Sequence, residues 1–585
     1  MAGSSWVPVS LAAGVGVAVA YASYRASLSA SEERSGVEAG ATWGLPFPWC
    51  STSPPATPSA TLQELRDACG KSLDDPRTAQ RLMDALDKEC EAGLAQVARK
   101  EDGCTRCSVK MLPSFVSRLP DGGERGVHYA LDLGGTNLRV MRVALSDLRG
   151  RIDDVVSREV EIPAELMRAE GTAEGLFGYL ASQVKAVMAE EEDDGGEVSL
   201  GFTFSYPVAQ TGVDRGTLVQ WTKGFATSGC VGEEVVGLLT EALGREGLGR
   251  VRVRALVNDT VGTVAARAYS DPTCEIGVIL GTGTNAAYVE RARNVPGGRY
   301  AALGTTRPIN EPRDGVMVVN MEWGGFASFN PPDIMALPIV QADRDVDAAS
   351  LNPGEQVFEK VVSGMYLGSC VRRTIVRIAD EGGFVGNCMG PGARVGNFSQ
   401  LRQDAECIQS ADVSAMDADA SPGLDTVKSV LALKCGLAKS PADIDVRDAR
   451  IVQEVCKLFA RRSAWLAAVA TMTVARRIRP GLRERPKSDS EYEAEVDVSQ
   501  QRDNLPLTVA VDGGLYEHYP NYHGTATHLL LRLAGDSARN LGPSELRFRE
   551  GGSNSGADHS PCLRFVHQPD GSGVGASLVA AAACG

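Results

Sequence analysis

One stretch of the chain reads Val127-His-Tyr-Ala-Leu-Asp-Leu-Gly-Gly-Thr-Asn-Leu-Arg-Val140, and this order of residues predicts a β-hairpin. Two apolar runs flank a turn of Gly, Thr and Asn, which are residues that suit tight turns. Successive N–H groups in such a turn form a concavity that binds anions, and glycine lets a phosphate approach the backbone closely. The stretch therefore predicts a strand, a phosphate-binding turn and a second strand.

The same order of residues recurs at two later places. A second hairpin is predicted over Ile276-Gly-Val-Ile-Leu-Gly-Thr-Gly-Thr-Asn-Ala-Ala-Tyr-Val289. A third apolar run with a glycine turn is Leu507-Thr-Val-Ala-Val-Asp-Gly-Gly-Leu-Tyr516. Three such segments in one chain indicate a protein that handles phosphate groups with its backbone.

Two other phosphate-binding motifs can be compared with these turns. A Rossmann dinucleotide site needs its glycine loop to open a helix, but Ala287-Tyr-Val-Glu290 predicts a strand. A P-loop needs Gly-x4-Gly-Lys-Ser/Thr, and before Gly70-Lys71-Ser72 the first glycine is replaced by Leu65. The hairpin-type phosphate clamp of the actin-like kinases remains.

Composition narrows the possible partners of the chain. Its 585 residues, 43% hydrophobic and 23% charged, suit a soluble globular protein of two large lobes or several domains. The net charge of −15 argues against nucleic acid and against a basic membrane patch. ATP can still bind through backbone N–H groups, a few cations and Mg²⁺. Only Cys104-Thr-Arg-Cys107 among 14 cysteines has a metal-like spacing, which favours ordinary intracellular thiols.

The N-terminal segment differs from the rest of the chain in charge and composition. The first 24 residues carry no charge, and the 19 residues Trp6 to Tyr24 would reach roughly 28 Å as a helix, close to the width of a bilayer core. We interpret them as a membrane anchor, with a disordered or cleaved leader as the alternative. Residues 25 to 60, rich in Ser, Thr and Pro, predict a flexible tether. Residues 483 to 504 predict a surface loop.

A series of ordered motifs gives the chain a resemblance to the hexokinase family, most similar to its plant and algal members. The motifs are Leu131-Asp-Leu-Gly-Gly-Thr-Asn-Leu-Arg-Val140, Leu200-Gly-Phe-Thr-Phe-Ser-Tyr-Pro-Val208, Trp221-Thr-Lys-Gly-Phe225, Val257-Asn-Asp-Thr-Val-Gly-Thr263, Asn320-Met-Glu-Trp-Gly324, Asn352-Pro-Gly-Glu-Gln-Val-Phe-Glu-Lys360, Ser363-Gly-Met-Tyr-Leu-Gly368, Asp512-Gly-Gly-Leu-Tyr516 and Asp570-Gly-Ser-Gly-Val-Gly-Ala576. The resemblance covers the chain from about Thr61 to the C-terminus.

The resemblance implies a two-lobed, actin-like (ribonuclease H-like) α/β sugar kinase fold with a cleft between the lobes. It implies an ATP:D-hexose 6-phosphotransferase that uses ATP and Mg²⁺. We expect residues 1–60 to form the anchor and tether, 61–260 to contain the small lobe from about 112, and 261–585 to form the large lobe. The C-terminal helix is expected to return to the small lobe.

Asp259 is the candidate general base, because phosphoryl transfer needs a carboxylate that accepts the proton of the sugar hydroxyl. It follows the apolar run Val251 to Val257 where a helix is predicted to begin, so an N-cap aspartate is the alternative role. By the resemblance Lys223 contacts the sugar and the phosphoryl group, although it could also be a surface lysine.

The other site residues follow from the resemblance. The hexose ligands are Ser205, Thr222, Lys223, Asn258, Asp259, Asn285, Glu322, Gln356 and Glu359. Gln356 and Glu359 are three apart on a predicted helix and so share one face, with simple helix solvation as the alternative. The nucleotide ligands are Asp132, Gly134, Gly135, Thr136, Asn137, Arg139, Gly281, Thr282, Gly283, Asp512, Gly513 and Gly514. Asp132 is the expected Mg²⁺ partner through water, or else a turn-forming aspartate.

The sequence leaves two alternatives, one for the activity of the protein and one for its location. A hexokinase-like protein could bind glucose and signal without catalysis, although Asp259, Lys223 and the phosphate turns are all present. The uncharged run resembles the N-terminal anchor of some plant hexokinases, which implies a cytosol-facing place on the mitochondrial outer membrane or in the cytosol. A plastid is the alternative, because plant members of the family include plastid forms.

Overall fold

Two mixed β-sheets organise the protein in the computed structural model, and helices pack on both of them. The described residues all belong to one compact unit, Thr57–Gly585. The structure describes residues 59–95, 107–135, 137–189, 195–221, 225–296, 315–328, 336–386, 388–389, 398–404, 407–479, 507–533 and 563–584. The predicted anchor at 6–24 and the predicted surface loop at 483–504 lie outside these ranges.

The strands are mostly apolar runs with turn residues at their ends. They are β1 (Leu112–Pro113), β2 (Gly126–Leu133), β3 (Asn137–Leu145), β4 (Ile152–Glu161), β5 (Val198–Phe204), β6 (Val208–Gly212), β7 (Arg215–Leu218), β8 (Val251–Val257), β9 (Cys274–Leu280), β10 (Thr284–Arg291), β11 (Val316–Asn320), β12 (Leu507–Asp512) and β13 (Leu563–His567).

The first sheet has the strand order β4-β3-β2-β5-β8. Strands β2 and β3 form the predicted antiparallel hairpin, with Asp132 opposite Arg139 and Leu133 opposite Leu138. Strand β5 then pairs parallel with β2, and β8 pairs parallel with β5. The carboxyl ends of β2, β5 and β8 therefore meet at one edge, where ligands of open α/β sheets usually bind.

The second sheet, in the order β1-β11-β10-β9-β12-β13, repeats this topology. Strands β9, β10 and β11 form an antiparallel meander, and β12 and β13 add to β9 in parallel. The predicted hairpin over Ile276 to Val289 is therefore confirmed. Strand β1 pairs with β11, so Leu112–Pro113 belongs to the second sheet although we placed the start of the small lobe there.

Helices connect the strands and cover the sheets. They are α1 (Ala60–Arg66), α2 (Ser72–Asp74), α3 (Pro76–Ala95), α4 (Ala164–Met167), α5 (Ala173–Met188), α6 (Val235–Arg245), α7 (Asp259–Ala268), α8 (Gln341–Ala348), α9 (Val357–Val362), α10 (Gly364–Asp380), α11 (Ser399–Gln403), α12 (Ser410–Asp417), α13 (Asp425–Ser429), α14 (Val446–Ile478), α15 (Gly514–His518), α16 (Tyr522–Leu533) and α17 (Gly571–Ala582).

The hydrophobic cores show how the layers are arranged. One face of the first sheet packs on α5 and α6. Its other face shares a core with α7, with α17 and with Ala287, Val289 and Val318 of the second sheet. The far face of the second sheet packs on α1, α3, α10, α14 and α16. Helices α7 and α17 therefore lie between the two sheets, and both begin near the sheet edges that carry the glycine turns.

Helix α17 is held against α7 by an unusually close backbone approach. A Cβ atom on Gly575 would lie 1.8 Å from the Gly262 carbonyl oxygen, and one on Gly201 would lie 2.1 Å from the Ala576 carbonyl oxygen. Both distances are shorter than any real contact, so only glycine fits at these positions. The C-terminal helix is thereby fixed on the first sheet.

Two further properties concern the described residues. The cysteines described there are free thiols, and most are buried. Within the same ranges, none of the helices combines the length and the apolar character that crossing a bilayer requires.

Candidate active site

The first phosphate turn joins β2 to β3. The Gly134 N–H donates to the Asn137 carbonyl at 3.1 Å and closes the turn. The Tyr206 hydroxyl, which lies just beyond β5, donates to the Gly134 carbonyl from behind. Burial raises the pKa of Tyr206, and the nearby Asp132 carboxylate raises it further, so this hydroxyl stays a donor. Thr136 in the middle of the turn lies outside the described residues.

Asp132 lies at the end of β2 and contacts the start of α17. Its Oδ2 accepts from the Ser572 hydroxyl at 2.7 Å. The Ser572 carbonyl in turn accepts from the Thr203 hydroxyl on β5 at 3.0 Å. Ser572 belongs to a motif that we quoted but not to the predicted site. Nothing in the sequence could pair it with a residue 440 positions away.

By the resemblance Asp132 holds Mg²⁺ through water. We therefore expect Ser572→Ala to raise the MgATP KM and the Mg²⁺ concentration for half-maximal activity by about 10- to 100-fold, because a hydrogen bond to a carboxylate is worth about 1.5–3 kcal/mol. The hexose KM should change little. Steady-state kinetics at varied Mg²⁺ would measure both. Ser577→Ala is the matched control, since its hydroxyl on the same helix donates only to the Val574 carbonyl among the bonds described. A hexose KM that rises as much as the MgATP KM would contradict the expectation.

Asn137 and Arg139 on β3 are already paired within the protein. Asn137 Nδ2 donates to Glu159 Oε1 at 2.5 Å. Arg139 Nη1 donates to Asp570 Oδ1 at 2.6 Å, and its Nη2 lies 3.4 Å from Glu159 Oε2. Burial alone would lower the pKa of Arg139, but the carboxylates of Asp570, Asp132 and Glu159 raise it overall. The arginine is therefore a permanent cation beside the turn.

The second phosphate turn joins β9 to β10. The Gly281 N–H donates to the Gly283 carbonyl at 3.0 Å. The carbonyls of Gly281 and Thr282 accept from the first N–H groups of α10, those of Gly364 at 2.9 Å and Met365 at 3.2 Å. The turn is thus fixed by the start of a helix.

Asp512 ends β12 and also reaches the start of α17. Its Oδ1 accepts from the Gly513 N–H at 2.7 Å and its Oδ2 from the Gly571 N–H at 3.0 Å. Burial raises the pKa of this carboxyl, although the two N–H groups oppose the change. Gly513 has a φ of 113°, and a Cβ there would lie 2.6 Å from the Leu280 carbonyl oxygen. Asp132 and Asp512, one from each sheet, therefore converge on Gly571 and Ser572, with Gly514 opening α15.

Asp259 is the first residue of α7 and lies directly after β8, as the sequence predicted. The N-cap is Asn258, whose Oδ1 accepts from the Thr260 N–H at 3.0 Å. The alternative of Asp259 as N-cap is therefore wrong by one residue. Asp259 Oδ1 accepts from the Thr260 N–H at 2.8 Å, which orients the carboxylate at the positive end of the helix.

Amides and a carboxylate from both sheets meet beside Asp259. Asn285 Nδ2 lies 2.8 Å from Asn320 Oδ1, 3.2 Å from Glu322 Oε1 and 3.4 Å from Asn258 Oδ1. Asn320 Nδ2 also donates to Glu322 Oε1 at 2.8 Å. Asn320 was not among the predicted ligands. Alternation along a strand could not have indicated it, because β11 ends at Asn320 and the backbone at Glu322 is left-handed.

Glu322 and Gln356 both have left-handed backbones. Their φ angles are 55° and 52°, which is uncommon for residues other than glycine and often marks a functional site. Gln356 precedes α9 instead of lying within it, so our prediction of one shared helix face for Gln356 and Glu359 is wrong. Gln356 and Glu359 are nevertheless close together, because both side chains pack against Gly324. A Cβ on Gly324 would lie 2.9 Å from Gln356 Oε1 and 3.2 Å from Glu359 Cβ.

Glu359 lies between Gly324 and the turn that joins β9 to β10. Its Oε2 accepts from the Thr284 N–H at 3.1 Å. A Cβ on Gly283 would lie only 2.7 Å from the same oxygen. The glycine at this place therefore leaves room for the carboxylate as well as for a phosphate.

Ser205 follows β5 and is buried. The segment from Thr222 to Gly224, which contains Lys223, lies outside the described residues. Its flanking residues Trp221 and Phe225 stack with ring centroids 5.1 Å apart. Tyr206 packs edge-on against both rings.

A cavity lies where the edges of the two sheets meet beside Asn258. Its lining includes Tyr206, Pro207 and Asn258 from the first sheet's edge and Asn320 and Glu322 from the second. No cluster of three or more His, Cys, Asp or Glu side chains suited to a metal occurs in the ranges that the structure describes. The described groups are a carboxylate at a helix start, three amides in one hydrogen-bond network with Glu322, and two glycine turns.

Comparison with known proteins agrees with this arrangement. Two family models, both described as hexokinase, match residues 64–269 and 275–582. Hexokinase-1 of Nicotiana tabacum is 38% identical over 89% of this chain and 90% of its own. The chloroplastic Hexokinase-4 of Oryza sativa is 37% identical over 91% of this chain and 90% of its own.

A solved structure of hexokinase from Schistosoma mansoni, complexed with glucose, has a TM-score of 0.65 and 29% identity. It covers 89% of this chain and 99% of its own. The two matched family models together span most of the chain, and the two-lobed sugar kinase fold is confirmed. The chain belongs to the hexokinase family.

Proposed function

We propose that this hexokinase transfers the γ-phosphoryl group of MgATP to the 6-hydroxyl of glucose or a related hexose bound between the two sheets. The observation that carries the proposal is the position of Asp259, which begins a helix directly beside the Asn285, Asn320 and Glu322 network. The solved relative that is complexed with glucose supports a hexose as substrate.

Asp259 is proposed as the general base. A carboxylate within reach of the 6-hydroxyl can accept its proton as the oxygen attacks the γ-phosphorus. Lys223 is proposed to contact the sugar and to spread the charge of the transferring phosphoryl group. Both roles come from the family resemblance, and the contact of Asp259 with the Thr260 N–H fits a base held in one orientation.

Glu322 and Gln356, which have left-handed backbones, are proposed to bind the hexose hydroxyls together with the polar residues around them. Buried amides and carboxylates discriminate hydroxyls well, since leaving such a group unpaired is costly. The proposed ligands are Ser205, Thr222, Lys223, Asn258, Asp259, Asn285, Glu322, Gln356 and Glu359. Asn320 joins them as the residue that orients Asn285 and Glu322.

The phosphates are proposed to bind the two turns, and Mg²⁺ to lie near Asp132. Mg²⁺ prefers hard oxygen ligands and keeps several waters. The Asp132 carboxylate and the Ser572 hydroxyl supply such oxygens at the start of α17, so the residues present fit this ion. Mg²⁺, when bound, would neutralise charge on the β- and γ-phosphates. The nucleotide ligands are proposed as predicted: Asp132, Gly134, Gly135, Thr136, Asn137, Arg139, Gly281, Thr282, Gly283, Asp512, Gly513 and Gly514.

Catalysis can be tested against the alternative of a hexose sensor without activity. Purified protein is given glucose and MgATP, and glucose 6-phosphate is measured with a coupled assay. We expect turnover that depends on both substrates. Saturable glucose binding without product would favour the sensor. The domain division at residues 60 and 260 remains a proposal.

Location rests on the first 60 residues. We propose that the uncharged run Trp6 to Tyr24 holds the enzyme on the mitochondrial outer membrane, with residues 25–60 as tether. The chloroplastic relative from rice supports the plastid alternative. We expect a reporter fused to residues 1–60 to surround mitochondria and keep its full length. A shortened reporter inside plastids would reverse the proposal.

A further inference from the structure

A lysine buried in the second lobe lies one helical turn after Gln356. Lys360 is the fourth residue of α9, and only 4% of its surface is exposed. Its ammonium donates to Asp347 Oδ1 at 2.6 Å and to the Asn352 carbonyl at 2.8 Å. A buried ammonium is costly unless it is paired and hydrogen-bonded, so lysine at this position depends on both partners.

The partners of Lys360 fix the loop that leads from α8 to α9. Asp347 lies in the last turn of α8, and both of its carboxylate oxygens accept from the Gly354 N–H at 3.0 Å. The loop itself faces solvent, and Leu351 at its tip is fully exposed. Apolar packing therefore cannot hold the loop, whereas the ammonium and the carboxylate tie both of its ends together.

Gln356 lies between two points that Lys360 contacts. The Lys360 N–H donates to the Gln356 carbonyl at 3.0 Å as part of the helical backbone of α9, and the Lys360 ammonium binds the carbonyl of Asn352 in the loop that leads to Gln356. Gln356 has a φ of 52°, a conformation that persists only when the surroundings impose it. If the contact were lost, the backbone could relax at Gln356 and the side-chain amide would move away from Glu359 and Gly324.

A purely stabilising role does not account for the pair. Well-packed apolar residues of similar volume usually stabilise a core as well as a buried ion pair does. The pair lies instead next to two of the proposed hexose ligands.

We infer that Lys360 and Asp347 are positioning residues that set hexose affinity by holding the strained backbone at Gln356 and the first turn of α9. The inference rests on the proposed function, because it assumes that Gln356 and Glu359 bind the hexose.

The test measures steady-state kinetics and thermal unfolding of Lys360→Met and Asp347→Asn in the full chain. Methionine keeps the apolar stem without the ammonium, and asparagine keeps the shape without the charge. We expect each variant to raise the glucose KM about tenfold, with the MgATP KM within about twofold and a smaller change in kcat. A merely structural role would not separate the two KM values.

Glu275→Gln is the matched control. It weakens another buried ion pair, in which Arg479 donates to both carboxylate oxygens of Glu275 at 2.8 and 2.9 Å. This pair lies at the start of β9, at the opposite end of that strand from Gly281. We expect a lower Tm with an unchanged glucose KM.

Gln356→Ala is measured alongside, because it tests the proposed hexose site independently of the positioning role of Lys360 and Asp347. If it raises the glucose KM while Lys360→Met and Asp347→Asn do not, or while they shift both KM values equally, the positioning inference is wrong and the proposed hexose site stands. If Gln356→Ala leaves the glucose KM unchanged, the proposed site is wrong and the inference fails with it. If Lys360→Met does not fold, Asp347→Asn decides, and failure of both to fold would overturn the positioning role.

Discussion

Replacing Asp259 by asparagine is expected to lower kcat by about 10²- to 10⁴-fold, the usual effect of losing a general base. Asparagine has nearly the same shape and can still accept from the Thr260 N–H, so the start of α7 should stay intact. It cannot accept a proton from the 6-hydroxyl, and the barrier to phosphoryl transfer rises. Glucose binding should change little. The coupled assay gives kcat, and calorimetry gives the Kd for glucose.

Asp271→Asn is the matched control for this substitution. Asp271 lies just beyond the opposite end of the same helix, where its Oδ1 accepts from the Thr273 N–H at 3.0 Å and the Thr273 hydroxyl at 2.6 Å. We expect this variant to lose stability without losing turnover. Near-full activity of Asp259→Asn would show that another group accepts the proton.

Local chemistry explains why much of this site could be predicted from the sequence. The run Val251 to Val257 is a strand and Asp259 begins the next helix, as the run and the polar capping residues after it predicted, although the cap is Asn258 and not Asp259. The turns at Gly134 and Gly281 follow in the same way from their residues. Each of these features depends on neighbours within a few positions.

Contacts between distant residues could not be predicted. The two sheets repeat one strand topology. The residues show three similar strand-and-turn segments but no repeat of fixed period, since topology depends on pairing and not on residue identity. Asp132 meets Ser572 and Lys360 meets Asp347 only after folding. The left-handed backbone at Gln356 is imposed by such contacts, and for this reason the helical periodicity placed it wrongly.

Glu322→Ala and Glu359→Ala are expected to weaken hexose binding by about 10- to 100-fold, because each removes a charged acceptor, and a hydrogen bond to a charged group is worth about 1.5–3 kcal/mol. The loss at Glu322 also leaves the donors of Asn285 and Asn320 without their carboxylate. MgATP binding should change less than about threefold. Glu359 also accepts from the Thr284 N–H beside the second phosphate turn. The Glu359 variant should therefore show a smaller difference between its hexose affinity and its MgATP affinity than the Glu322 variant.

Calorimetric titration of each variant with glucose and with MgATP decides between a ligand and a folding role for these carboxylates. Glu355→Ala is the control, because Glu355 lies on the same loop beside Gln356 but is exposed. We expect it to bind both ligands as the wild type does. Equal losses for glucose and MgATP in the Glu322 and Glu359 variants would mean that they act through folding. A loss confined to glucose would place both carboxylates at the hydroxyls, and the larger loss should belong to Glu322, since its two amide partners come from different strands of the second sheet.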